Sequence, residues 1–267
     1  MNDASWIAAL FALFAWWFST GAILLVVRRA DRAGTGARAT MLAVPMLVFG
    51  LWGLWASAGD PGITGIYLAF LSALAVWGWI EMAFLTGTIT GPNAHVCPRH
   101  LPEWERFIRA WGVLAYHEML LAGTLLALWV LTEHAANAFG FYTFALLFFA
   151  RVSAKLNLFL GVPRINTEFM PAALAHVPSH FRKTSVNWLF PISVTALASA
   201  CAVWLTLLFT AADPAAAAGF ALLAAMTALA LLEHWFMVLP LPDEKLWRWM
   251  LPAPNTTTTT GEDAHGL

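Results

Sequence analysis

Residues 63–86, ITGIYLAFLSALAVWGWIEMAFLT, carry a single charged side chain, Glu81, in a stretch long enough to cross a hydrocarbon core. A spanning helix needs about 20 mainly apolar residues, because each backbone N–H and C=O must find its partner within the segment where no water reaches. Working outward, the same pattern recurs at 6–27 and 40–58 before this stretch, and at 108–131, 139–161, 189–211 and 216–239 after it. The chain therefore reads as an all-α integral membrane protein, a bundle of about seven transmembrane helices. Of its 267 residues 60% are hydrophobic and 11% charged, and the mean hydropathy is +0.71. That balance lies outside the range of soluble domains, and a formal net charge of -1 gives nucleic acid nothing to bind.

The breaks between spans carry turn chemistry. Gly59-Asp60-Pro61-Gly62, the polar run from Thr132 to Asn137, and Asp213-Pro214 each predict a short hairpin between antiparallel neighbours. Lys and Arg sort to one side. Arg28, Arg29, Arg32 and Arg38 follow the first span, Arg99, Arg106 and Arg109 precede the fourth, Arg164, Arg182 and Lys183 follow the fifth, and Lys245 and Arg248 follow the seventh. The alternate loops hold no basic residue. Positive charge stays in the cytoplasm during insertion, which predicts an N-terminus on the far, periplasmic side and a cytoplasmic C-terminus. The first span lacks a basic leader and exceeds a signal-peptide core, so it is expected to remain as a helix. Residues 1–250 form one polytopic domain, and 251–267, with the threonine run after Asn255, form a disordered cytoplasmic tail. The segment 161–187 is too polar to span, and Phe169, Leu174, Phe181 and Trp188 predict that it lies partly on the membrane surface. Cys97 and Cys201 fall in a loop and in a span, poorly placed for a disulfide.

Ionisable groups within hydrocarbon cost about 2.5 to 3.5 kcal/mol each on insertion scales, so each needs a partner or water. The spans keep Glu81, His117, Glu118, Arg151, Lys155, Asn157, Glu233 and His234, all in the halves nearest the basic loops. Arg151 and Lys155 share one helix face by i,i+4 spacing, and Ser153 and Asn157 share another, so the fifth span can address two neighbours at once. One reading is a polar network, with Arg151, Lys155 and Ser153 neutralising or bonding the buried acids and histidines to fix packing. The other is a ligand site: His117, His234, Glu81, Glu118 and Asn157 as a cofactor-binding set, or His117, Glu118, Glu233 and His234 as metal ligands. The adjacent pairs His117-Glu118 and Glu233-His234 depart from the Glu-x-x-His spacing of di-iron bundles. His95-Val-Cys97-Pro-Arg-His100 and the pair His176/His180 are weaker candidates, since proline interrupts both. No phosphate loop, nucleophile elbow or dinucleotide fingerprint is present.

Several strings are more specific: Trp16-Trp17-Phe18-Ser19-Thr20-Gly21; Glu81-Met-Ala-Phe-Leu-Thr-Gly87 with Thr90-Gly91-Pro92; Tyr116-His117-Glu118; and Arg151-Val-Ser-Ala-Lys155-Leu-Asn157 with Leu160-Gly161-Val162. To these belong Asn187 to Pro191, NWLFP, and Leu232-Glu233-His234-Trp235-Phe236 running into Leu239-Pro-Leu-Pro-Asp243 and Leu246-Trp-Arg-Trp249. Together they resemble the photosynthetic complex assembly protein family PuhE of anoxygenic phototrophic bacteria, over nearly the whole chain except the threonine-rich tail. The resemblance implies a polytopic protein of the bacterial inner, intracytoplasmic membrane that helps assemble the reaction centre with its core antenna and influences bacteriochlorophyll supply. Its expected partners are reaction-centre and antenna subunits or other assembly factors, and it carries over no catalytic residue. Joined to the polar cluster, it predicts that bacteriochlorophyll or another tetrapyrrole is held near His117, Glu118, Glu81 and His234. The alternatives are a membrane metalloenzyme acting on a tetrapyrrole and a transporter of small solutes or protons.

Overall fold

The computed structural model describes residues 3–98, 100–167 and 170–240. The predicted tail, and with it Lys245, Trp247, Arg248 and Trp249, lies outside the described residues, as do Arg99 and Phe169. The regular elements are α1 (Asp3–Ala33), α2 (Gly36–Leu42), α3 (Val44–Ser57), α4 (Ile63–Leu85), α5 (Glu103–Thr132), α6 (Phe139–Leu160), α7 (Leu189–Thr210) and α8 (Pro214–Phe236). Among the described residues, seven helical segments are long and apolar enough to cross a membrane, counting α2 and α3 as one.

Two of these segments differ from their predicted bounds for local reasons. The predicted span 40–58 is divided at Ala43, because Pro45 at the start of α3 has no N–H to return to the preceding turn. The helix α5 begins at Glu103, several residues before the apolar run, and Glu103 and Glu105 suit the positive end of its dipole. Elsewhere the turn chemistry caps as expected: Asp213 accepts from the N–H groups of Ala215 (3.2 Å) and Ala216 (3.1 Å), with Pro214 in the first turn of α8.

The loops sort to two ends of the bundle. At one end Asn137 donates to the carbonyls of Ser57 (3.1 Å) and Asp60 (3.0 Å), joining two hairpin turns. At the other, the Ala172 N–H meets Asp31 (3.1 Å), Arg182 meets Glu103 (2.5 Å), and the Arg164 N–H bonds the Met237 carbonyl (3.0 Å). This second end gathers the described basic loops. Of the residues expected at the membrane surface after α6, Leu174 is instead fully buried, packed with Phe84, Val113 and Val177, while Trp188 is exposed, so this part of the loop folds back as a cap over the bundle. Apolar area on a short 3-10 turn gains more from this pocket than from an interface shared with water.

Toward the opposite end the core is dry. One cluster joins Ala8, Ala12, Ile66, Phe70, Leu222 and Met226 from α1, α4 and α8. A second joins Leu54, Val76, Ile80, Leu121 and Phe144 from α3 to α6. Small residues let the helices approach: a methyl group on Gly50 of α3 would meet Val76 at 2.7 Å and the Ser72 carbonyl at 2.9 Å on α4.

Candidate functional site

The polar groups of the spans meet around α6, which packs against α4, α5, α7 and α8. On one face of α6, Arg151 donates to Glu81 of α4 (3.0 Å) and Lys155 pairs with Glu118 of α5. Nearly half a turn away, Ser153 bonds His234 of α8 (2.9 Å) and Asn157 bonds Ser193 of α7 (2.9 Å). The i,i+4 spacing within each pair puts its members one above the other, so α6 contacts a different neighbour at each level. The candidate residues thus separate into two groups on either side of one helix.

In the first group two carboxylates face two cations, and the set is electrically balanced. Glu81 and Glu118 are nearly sealed, at 8% and 6% exposure. The Lys155 ammonium also sits 5.5 Å from the centroid of the Phe84 ring, a distance at which the ring's quadrupole attracts a cation. His117 lies between the two acids, with its Nε2 3.7 Å from Glu81 and 4.0 Å from Glu118, both beyond hydrogen-bond reach. Its ring is fully buried and tilted over Phe84 at 4.5 Å, and neither nitrogen has a hydrogen-bond partner.

What holds His117 there is a loop reading as a plain connection in the sequence. The helix α4 ends in a Schellman motif: Gly87 takes φ 75°, its N–H bonds the Phe84 carbonyl (2.9 Å), and the Thr88 N–H bonds Ala83 (2.9 Å). The chain then turns back along α5, where the His117 N–H donates to the Thr90 carbonyl and the Asn93 N–H to the Gly112 carbonyl, each at 3.0 Å. Between them Gly91 rests on the backbone of Gly112, Val113 and Ala115, with no room for a side chain. Irregular backbone at membrane depth is stable only when enclosed by protein, and this loop meets that condition through Gly91.

The second group is fully satisfied. The His234 Nδ1 meets the Ala230 carbonyl at 2.8 Å, and since a carbonyl only accepts, Nδ1 carries the hydrogen and Nε2 receives the Ser153 hydroxyl. Asn157 donates to Ser193 and to the Ser153 carbonyl (2.9 Å), and accepts from Asn187 (3.1 Å). Asn187 also donates to the Gly161 carbonyl (2.7 Å) while its oxygen accepts from the N–H groups of Leu189 and Phe190, so it closes α6 and caps α7 together. Ser193 and the capping role of Asn187 were not assigned from sequence. The signal was there: an Asn beside the first turn of a span, and a Ser one turn into it.

Glu233 joins neither group. It is accessible, with Trp16 of α1 hydrogen-bonded to its carboxylate and Arg151 near enough to act on it electrostatically. The loop histidines stand apart as well. Ser179 links the two loops by accepting from the Cys97 N–H (2.9 Å), and burial holds His176 and His180 below the ordinary histidine value. Among the described residues, no three His, Cys, Asp or Glu side chains converge as ligands for a metal ion.

These features fit a tetrapyrrole poorly in this packing. An axial ligand needs a nitrogen facing an open, apolar space wide enough for the macrocycle, but Nε2 of His117 faces two carboxylates and both nitrogens of His234 are engaged. The charge of Glu81 and Glu118 is already matched by Arg151 and Lys155.

Fold and site together define a polytopic helical membrane protein in which Glu81 and Glu118 are paired with Arg151 and Lys155 in one half of the bundle. The chain belongs to the DUF3623 family, described as a protein of unknown function, which residues 1–258 match. It is 53% identical over 262 residues to a Rhodobacter capsulatus protein described as an uncharacterized 30.4 kDa protein in the puhA 5' region, covering 97% of this chain and 95% of that one. No solved structure matches.

Proposed function

We propose that this protein is a non-catalytic assembly factor for the photosynthetic reaction centre and its core antenna, working in the bacterial inner, intracytoplasmic membrane. The observation that carries the reading is the position of its Rhodobacter capsulatus relative beside puhA, a link to photosynthesis that extends along almost the full length of both chains. The motifs that resemble the PuhE family support it, and they are the strings that build the two polar groups: Glu81 to Gly87, Thr90 to Pro92, Tyr116 to Glu118, Arg151 to Asn157 and the NWLFP cap.

The geometry favours a binding or scaffolding role over turnover. Glu81, Glu118, Arg151 and Lys155 neutralise one another, and His234 and Asn157 have their hydrogen bonds filled by the protein. A transporter is less well supported, because the polar groups occupy one half of the bundle while the clusters around Phe70 and Phe144 pack the other. If pigment is handled, it is in a conformation in which α5 has carried His117 away from Glu81, or α8 has carried His234 away from Ser153. The end gathering the basic loops is assigned to the cytoplasm by the positive-inside rule; alkaline phosphatase fusions at Pro61 and Ala135 are then active, and fusions at Asn93 and Ser185 inactive.

The test is affinity purification of the tagged full-length protein from membranes of a phototrophic cell assembling new complexes. Reaction-centre and core-antenna subunits co-purify in proportion to assembly rate, and fall away in cells with assembly complete. Recovery without either set of subunits at any stage contradicts the reading.

A further inference from the structure

The turn between the first two helices carries positive charge that the protein does not pair. Arg29 and Arg32 near the end of α1 and Arg38 in α2 are exposed, and among the described residues none of them meets a carboxylate. Arg106, Arg109, Arg151 and Arg182 each have one. The acid between them in sequence, Asp31, is engaged by the Ala172 N–H (3.1 Å). Gly34 at φ 63° and the Thr35 N–H on the Ala30 carbonyl (2.9 Å) fold the chain sharply, so α2 follows directly on α1. The inner face of α2 is fixed. Gly36 lies against the Thr86 carbonyl with no room for a side chain, and Thr40, buried, shares hydrogen bonds with Thr86 (2.8 Å) and Thr88 (3.2 Å).

The helical period then leaves Ala37, Arg38, Met41 and Leu42 on the outer face, where they line an open groove of about 350 Å³. Met41 and Leu42 are 71% and 82% exposed. Since α2 and α3 form one segment long enough to span a membrane, the surface passes from cation to apolar within one turn, about 6 Å from Arg38 to Leu42. The same step separates the phosphates of a bilayer leaflet from its acyl chains. An arginine stem lies along apolar surface while its head reaches the polar layer, and a guanidinium holds phosphate by two parallel hydrogen bonds. Charge complementarity selects an anionic lipid, because Arg29 and Arg32 add to the field around Arg38 within a Debye length or so of the turn. We propose that the outer face of α2 binds one anionic phospholipid, with Arg38 on its phosphate, Met41 and Leu42 against an acyl chain, and Arg29 and Arg32 favouring its negative charge. This site rests on the membrane-spanning fold alone and stands or falls independently of the assembly role.

The full-length protein in a nonionic detergent is titrated with dioleoylphosphatidylglycerol, and with dioleoylphosphatidylcholine as the zwitterion with the same chains, and the first bound lipid is followed by native mass spectrometry. Wild type binds the anionic lipid roughly tenfold more tightly or better, and Arg38→Gln weakens it about fivefold while leaving the zwitterion unchanged. Arg109→Gln, which removes a cation already held by Glu105 at the same end of the bundle, changes the preference by less than about twofold. Equal affinity for the two lipids in wild type, or equal losses in Arg38→Gln and Arg109→Gln, overturns the proposal by showing that the charge acts without a site. The groove has its own test. Met41→Ser with Leu42→Ser weakens both lipids alike, and unchanged binding in that variant overturns the acyl contact. Glycerol 3-phosphate, the headgroup anion without chains, fails to displace the bound lipid at equal concentration; displacement would assign the site to a free anion and overturn the proposal.

Discussion

Lys155 shows what a buried charge demands. Its ammonium is enclosed between the Glu118 carboxylate and the Phe84 ring, so its removal leaves a carboxylate at 7% side-chain exposure with no cation. Breaking such a pair typically costs about 3 to 5 kcal/mol, whereas removing both charges is close to neutral. Lys155→Met is therefore expected to lower unfolding free energy in bicelles by about 3 kcal/mol, and Lys155→Met with Glu118→Gln to recover most of it; additive losses in the double variant would show that the two residues act separately. The chemistry of these positions was legible in the sequence, because charged residues within apolar runs are costly and their i,i+4 spacing is explicit. Their partners were not. Nothing in the order of residues says that the His117 ring is left without a hydrogen bond while the His234 ring has two, since that depends on how α5 and α8 are rotated.

The elements show the same division. The spans could be read from length and hydropathy, because lipid imposes one secondary structure on every crossing. The loop 86–93 could not, because a polar segment after a helix reads as a connection whether it leaves the bundle or folds back along α5. Gly91 is the residue that permits the return, and Gly91→Ala forces a methyl group against the Gly112 carbonyl. The expected result is a loosened loop, with faster amide exchange at His117, whose N–H bonds Thr90, and unchanged exchange in α7. The cap formed by 171–184 carries a pH dependence. Burial keeps His176 and His180 below 6.5 in the folded chain, so between their folded values and 6.5 the unfolded chain binds more protons. Their contribution is complete above 6.5 and is lost as pH falls through the folded values. Exchange in 171–184, corrected for intrinsic rates, should rise between pH 7.5 and pH 5, and rise less in His180→Gln; a flat profile would contradict the assignment.

Across the whole molecule, two ends with different loops enclose a core divided by depth, apolar in one half and charge-paired in the other. The helix α6 links the halves, with Phe144 in the dry cluster and Arg151 to Asn157 in the polar groups. A bundle built this way has fixed internal chemistry and an outer surface of exposed apolar side chains, and on the proposed function it is that surface which meets the complexes being assembled. The most direct measurement is the amount of assembled reaction centre and core antenna in membranes from a strain lacking the gene, with total bacteriochlorophyll and subunit synthesis measured alongside. The account predicts a several-fold fall in assembled complex while subunits are still made, restored by the wild-type gene and not by Lys155→Met. Normal complex levels in the deletion strain would contradict it.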